Sequence, residues 1–369
     1  MALLAVVASV VAASQPAGGY RTGDATWRAA DGAFAGWRAE DAAVRAGGVV
    51  LVRLAPTTQD GTVVSPAIRT GFPAREAIPS WNVATPAGTW VEVRLRARQA
   101  GRRWTRWYEL GVWSSRDPAR RHSVEGQRDV AGRVATDTLV LTRDADALQL
   151  AFRLRSAKAG VSPSVRLAAL AWSAAPRRPA ALLPGVRGHW GTLLAVPEYS
   201  QLVYPDGGEA WCSPTSLAMV LAYWQRYRGA AEPRVRRTVR GVHDRVYRGH
   251  GNWPFNTAYA ATEGLQARVT RFASLRQVER WVAAGVPVVV SYAWKRGELP
   301  GAAGSSDGHL AVVVGFDRSG DPIVNDPAAR TNDAVRRTYP RGTLERLWLQ
   351  HSGGTVYLVH PVGRSVPPG

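Results

Sequence analysis

The sequence predicts a two-part chain: an all-β front half, a β-sandwich or jelly roll, followed by an α+β back half. Three observations carry this expectation. The length of 369 residues leaves room for two cores at roughly 100–200 residues per domain. Short strand-like runs divided by turn residues fill the front half, with no long 3.6-residue period among them. Beyond an Ala-, Pro- and Arg-rich stretch at 173–187 the texture changes to a helix first and strands later. The expected boundaries are a β domain over 20–173, a linker over 174–190 and an α+β domain over 191–362.

Taken in order, residues 1–19 open with MALLAVVASVVAA, an apolar run too short to span a bilayer. With small residues at Ala12, Ala13 and Ser14, it reads as the core of a signal peptide without its basic leader, so export or attachment to the cell envelope is expected. The front half offers Val49–Leu54, Trp90–Arg96, Trp104–Trp113, Thr138–Thr142, Leu148–Leu154 and Val165–Trp172 as strands. Trp81, Trp104, Trp107 and Trp113 are candidates for a carbohydrate platform, or else core and cross-strand partners. The β domain could thus bind polysaccharide or protein. In the back half, Pro214–Tyr227, Ser274–Ala284 and Leu344–Gln350 read as helices, and Val286–Tyr292, His309–Phe316, Pro322–Asn325 and Thr355–Val359 as strands.

The formal net charge is +19. The positive residues are nearly all arginine, scattered rather than clustered, and no nucleic-acid-binding motif accompanies them, so no nucleic-acid partner is expected. No later run is long and apolar enough for a membrane helix. One cysteine excludes an intramolecular disulfide framework and any multi-thiolate metal site, and no cofactor is expected.

That cysteine, Cys212, precedes Pro214 and the helical spacing of Leu217, Val220, Leu221 and Trp224. Proline suits a first helical turn. The thiol therefore lies at a helix start, where unpaired N–H groups and the helix dipole favour a thiolate. A thiolate nucleophile needs a base, and the base needs an orienting acceptor. Of seven histidines, His309 stands out at the head of an apolar strand after the glycine-containing loop Ser305-Ser-Asp-Gly. If that strand pairs with Pro322–Asn325, Asp326 returns beside His309 and can accept its Nδ1–H. Asn325 is an alternative acceptor on the opposite face. The Cys212 backbone N–H and the side-chain amide of Gln201 are the candidate donors to an oxyanion.

Gln201, Cys212-Ser-Pro-Thr-Ser, Gly308-His-Leu-Ala-Val-Val-Val-Gly and Asn325-Asp-Pro together resemble papain-fold cysteine peptidases, in particular the bacteriocin-processing peptidases and their stand-alone bacterial relatives. The resemblance spans about 193–361. It implies a papain-like fold, Cys212 as nucleophile, His309 as general base and acid, Asp326 as its orienter and Gln201 as oxyanion donor. It also implies a peptide or protein substrate, with cell-envelope peptide as one form. Two departures stand out. Ser213 replaces the glycine usual after the cysteine, and Gln201 lies eleven residues before Cys212 instead of about six. Two other activities share this residue set, a cell-envelope amidase and a transpeptidase-like acyltransferase. A catalytically inactive envelope-binding protein is the non-enzymatic alternative.

Overall fold

Two very long strands build the front half. In the computed structural model, which describes residues 9–12, 19–52, 59–99, 103–175 and 182–368, the main front strands are β1 (Thr22–Arg28), β2 (Gln59–Val64), β3 (Ile68–Ala84), β4 (Thr89–Gln99), β5 (Tyr108–Trp113), β6 (Thr138–Ser156) and β7 (Ser164–Ser173). With shorter edge strands they make one connected sheet of 12 strands among the described residues. The order β1-β7-β3-β6-β2 continues through β4 and β5, because β6 also pairs with β4. The all-β class is as expected. In place of two separate facing sheets, the front half is a single sheet that curls until it is nearly closed. The reason lies in β6: register breaks between Val140 and Ala147 bend it, so its two halves pair with different neighbours. The polar run Arg143-Asp-Ala-Asp makes this one strand read as two in the sequence. Pro73 and Pro79 conceal β3 in the same way, since proline argues against a strand interior.

Two compact units emerge, and their division does not follow chain order. One holds Arg21–Ala175 together with His243–Thr262; the other holds Pro176–Val242 with Glu263–Gly369. Ser9–Ala12 pair antiparallel with β1, and residues 1–8 and 13–18 of the signal-like segment lie outside the described residues.

The second unit contains helices α1 (Cys212–Trp224), α2 (Ala231–Val242), α4 (Leu275–Ala283) and α5 (Arg341–Ser352). Its antiparallel sheet comprises β8 (Leu265–Arg271), β9 (Val288–Trp294), β10 (Ser306–Phe316), β11 (Pro322–Asn325), β12 (Arg336–Thr338) and β13 (Thr355–Pro361), in the order β8-β13-β9-β10-β11-β12. Every residue of α1 from Ser213 to Ala222 is buried, as expected of a helix enclosed on all sides. The remaining core joins Trp281 and Val282 of α4, Trp348 of α5 and the Val288, Val290, Val313 and Val356 face of the sheet. Ser274 caps α4 by accepting the Arg276 N–H at 3.2 Å.

Helix α3 (Trp253–Thr262) belongs to the first unit although it follows α2 in the chain. Phe255 is fully buried, with ring centroids 6.1 Å from Trp81 and 5.3 Å from Trp113. Gly111 makes room for it, since a Cβ there would lie 3.1 Å from the Phe255 ring. The segment is also fastened by polar groups. Buried Asp244 accepts the N–H of Ser123 at 3.0 Å and the Asn252 amide at 2.9 Å, while Asp137 accepts the Trp253 N–H at 2.7 Å.

Trp81 and Trp113 are completely enclosed and serve as core. Trp104 and Trp107 are half-buried, and the Arg96 guanidinium lies 4.8 Å and 4.5 Å from their ring centroids, as cross-strand packing requires.

Candidate active site

The site is assembled where α1 meets β10. Helix α1 starts at Cys212 itself, so Pro214 falls third in the first turn, where a missing N–H costs nothing. Ser216, one turn on, donates its hydroxyl to the Leu310 carbonyl at 2.9 Å and fastens the helix to the strand beside His309. Cys212 is half-buried, and the His309 ring and the N–H groups of Ser213 and Leu310 act on its sulfur. Burial works against the thiolate, but the His309 hydrogen bond and charge outweigh it, and the thiol pKa is lowered.

Strands β10 and β11 pair antiparallel with Val312 opposite Asn325, which returns Asp326 to His309. The contact runs from His309 Nε2 to Asp326 Oδ1 at 2.7 Å. The expectation placed Asp326 on Nδ1; with Nε2 engaged, Nδ1 is the nitrogen left for Cys212. Asn325 faces away and donates to the carbonyls of Val196 and Pro197, each at 3.2 Å, so it takes no part.

Asp326 is held from every side. Its Oδ1 also accepts the Ala328 N–H at 2.9 Å, and its Oδ2 accepts the hydroxyls of Tyr339 at 2.5 Å and Tyr292 at 3.2 Å. Burial would raise its pKa, but His309 and these donors hold it well below the usual carboxylate range. Burial of the His309 ring opposes its charge; the Asp326 carboxylate and the Cys212 contact override this and push the pKa up to about 10. The ring is clamped edge-on by Tyr292 and Trp294, with centroids at 5.5 Å and 5.3 Å. The surroundings thus favour charge on all three groups: the thiol pKa is lowered, the imidazole pKa raised and the carboxyl pKa lowered.

Sequence reasoning missed Tyr292, Trp294 and Tyr339. Tyr292 and Trp294 end the strand paired with β10, where Tyr292 sits directly opposite His309; the register of those strands would have revealed it. No sequence signal marks Tyr339. Replacing Tyr339 with Phe removes a hydrogen bond to a buried charge, and about 1.5–3 kcal/mol of stability at neutral pH should be lost. Because the Asp326 pKa is depressed in the fold, the carboxylate stays ionised well below the usual range, and the loss fades only as acid protonates it there. Denaturant titration at pH 7 checks it; a loss below about 0.5 kcal/mol would refute it.

The side-chain Nε2 of Gln201 donates to the carbonyls of Gly208 at 2.8 Å and Glu209 at 3.1 Å, in the turn just before Cys212. Ser213, which replaces the usual glycine, is buried, and its hydroxyl bonds the Tyr357 hydroxyl at 2.9 Å. Among the described residues no group of three or more His, Cys, Asp or Glu side chains could hold a metal.

Two family models match the chain along most of its length. Residues 24–173 match the Peptidase C39 N-terminal domain, and residues 193–356 match the Peptidase_C39 like family. The chain is a C39-like, peptidase-like protein. The match to the second model takes in Gln201, Cys212, His309 and Asp326. The front sheet of this C39-like protein, unexplained by the sequence motifs, is a domain type with its own model. A comparison with curated proteins returned no match. No helix among the described residues is long and apolar enough to cross a membrane.

Proposed function

We propose that this C39-like protein is a cysteine peptidase with a papain-like catalytic arrangement: a nucleophile at the start of a buried helix, and its base on the facing antiparallel sheet. The Cys212 thiolate attacks the carbonyl carbon of a peptide bond. An S–C bond forms, and the carbonyl electrons move onto oxygen beside the N–H groups of the helix start. The His309 imidazolium then passes its Nδ1 proton to the departing amine as the C–N bond breaks, leaving an acyl-enzyme. Water, deprotonated by His309, hydrolyses the thioester and restores the pair. Asp326 stays ionised throughout and keeps the ring in place. The apolar opening segment supports an exported location, where peptides of the cell envelope are the substrates within reach.

The observation that carries this reading is the unbroken line Cys212–His309–Asp326, with the last contact at 2.7 Å. Incubation with a peptide library and with cell-wall fragments tests it. Cys212→Ala should lower hydrolysis by at least about 10³-fold, since removal of a nucleophile leaves only binding and electrostatic effects. Hydrolysis that survives this substitution would exclude the mechanism.

A further inference from the structure

We infer that an open cleft on the front sheet binds an acidic polysaccharide: the Trp104 indole packs against a sugar ring, and the guanidinium groups of Arg103, Arg96 and Arg38 meet its carboxylates. All of these residues belong to the first unit, and the inference is independent of the peptidase reading. The cleft has a volume of about 420 Å³ and is lined by Gln99, Arg103, Trp104, Thr105 and Ala131. Ligand sites span about 300–1,000 Å³. The lining combines an aromatic face, an amide and a hydroxyl to meet sugar hydroxyls, and a cation to meet a carboxylate. The Gln99 amide is already set by its bond to the Ala131 carbonyl at 3.2 Å.

The pairing of charges singles out this place. On the half-exposed face of β4, Arg94 reaches Glu109 and Arg98 reaches Asp146, each at 2.8 Å. Arg106 likewise reaches Asp129 at 2.7 Å. Arg96, between Arg94 and Arg98 in the same row, meets no carboxylate. Its Nε and one Nη donate to the Gln149 Oε1 at 2.9 Å and 2.6 Å, a neutral acceptor opposite it on β6. A guanidinium has five N–H donors, so others are left for a ligand. Arg38 and Arg103 are exposed, and neither has an ion pair among the described residues. Burial and then the charge of Arg38 lower the Arg96 pKa, so these two cations lie close enough to repel. An anion bound among them relieves that repulsion.

The aromatic wall is fixed before a ligand arrives. The Arg96 guanidinium lies 4.8 Å from the Trp104 ring centroid and 4.5 Å from that of Trp107. Little side-chain freedom is therefore lost on binding. A neutral glycan would leave the three cations without counter-charge. Single-stranded nucleic acid needs successive open aromatic faces. Here both rings stack on one guanidinium, and of the two only Trp104 lines the cleft.

Retention of the full chain on beads carrying polygalacturonate, dextran or single-stranded oligothymidylate tests this at about physiological ionic strength. The wild-type chain should hold to polygalacturonate at least about tenfold more tightly than to either of the others. The double variant Arg38→Ala, Arg103→Ala should weaken that hold by about tenfold or more, from two exposed ion pairs at up to about fivefold each. Trp104→Ala should weaken it as well, and if that variant fails to fold, the two exposed arginines still decide. Arg318→Ala with Arg346→Ala removes the same charge from exposed positions of the second unit and should change retention less than about twofold. Equal losses in the two double variants would mean general attraction of a basic chain to a polyanion, and would overturn the inference. So would dextran held as tightly as polygalacturonate, or oligothymidylate held more tightly.

Discussion

Replacing His309 with alanine is expected to slow iodoacetamide alkylation of Cys212 at least several-fold at pH 6. Without the imidazolium the thiol reverts toward an ordinary pKa of about 8.5, and only about 0.3 % is ionised at pH 6. The more basic thiolate recovers part of the loss, because nucleophilicity rises with pKa at a slope of about 0.4–0.5. The N–H groups of Ser213 and Leu310 remain and set a floor to the loss. The pH profile is the sharper readout. In the wild-type chain alkylation should level off at lower pH than in the variant, since the charged His309 ring lowers the thiol pKa. In the variant it should climb about tenfold per unit until about 8.5. A wild-type rate that climbs in that way would identify Cys212 as an ordinary thiol. The same linkage acts on stability. The His309 pKa is raised in the folded state, so its contribution is complete below about 6.5 and drains away as the pH rises toward 10.

Phe255→Ala is expected to destabilise the front unit by about 3–5 kcal/mol. The side chain is fully enclosed between Trp81 and Trp113, both themselves fully enclosed. Rigid indole walls on β3 and β5 collapse poorly into a vacated space, which places the cost at the upper end of that range. Thermal unfolding followed by tryptophan fluorescence measures it, and at roughly 2–4 °C per kcal/mol for units of this size the midpoint should fall by about 6–20 °C. A change below about 1 kcal/mol would mean that the helix only rests on the sheet.

Much of the site was legible because its chemistry is written in local patterns. Cys212 announces itself by a helix start with proline in the first turn, His309 by its place at the head of a valine-rich strand. Asp326 follows from these, since an antiparallel return fixes where a short second strand ends. The failures have equally physical causes. The nitrogen of His309 that meets Asp326 depends on a ring rotation clamped by Tyr292 and Trp294, which no spacing encodes. In the fold, prolines hid β3 and a bulge split β6. Helix α2 went unread because arginines mask its apolar stripe of Val235, Val239 and Val242. Helix α3 went unread because its polar Asn256 and Thr257 are buried and break the amphipathic pattern.

The chain's return to its first unit also sets an order of events during synthesis. The strands of that unit have all left the ribosome's catalytic centre once Ala175 is made, yet Phe255 and its helix are added only some 70–90 residues later. At about 5–20 residues per second this is a delay of several seconds or more. Through that interval Trp81 and Trp113 lack the ring that packs against them in the complete chain. Pulse proteolysis of stalled nascent chains should find the front unit labile when the exposed chain ends near 240 and protected once residue 262 has emerged; protection at the shorter length would show that the sheet closes without its late-arriving helix.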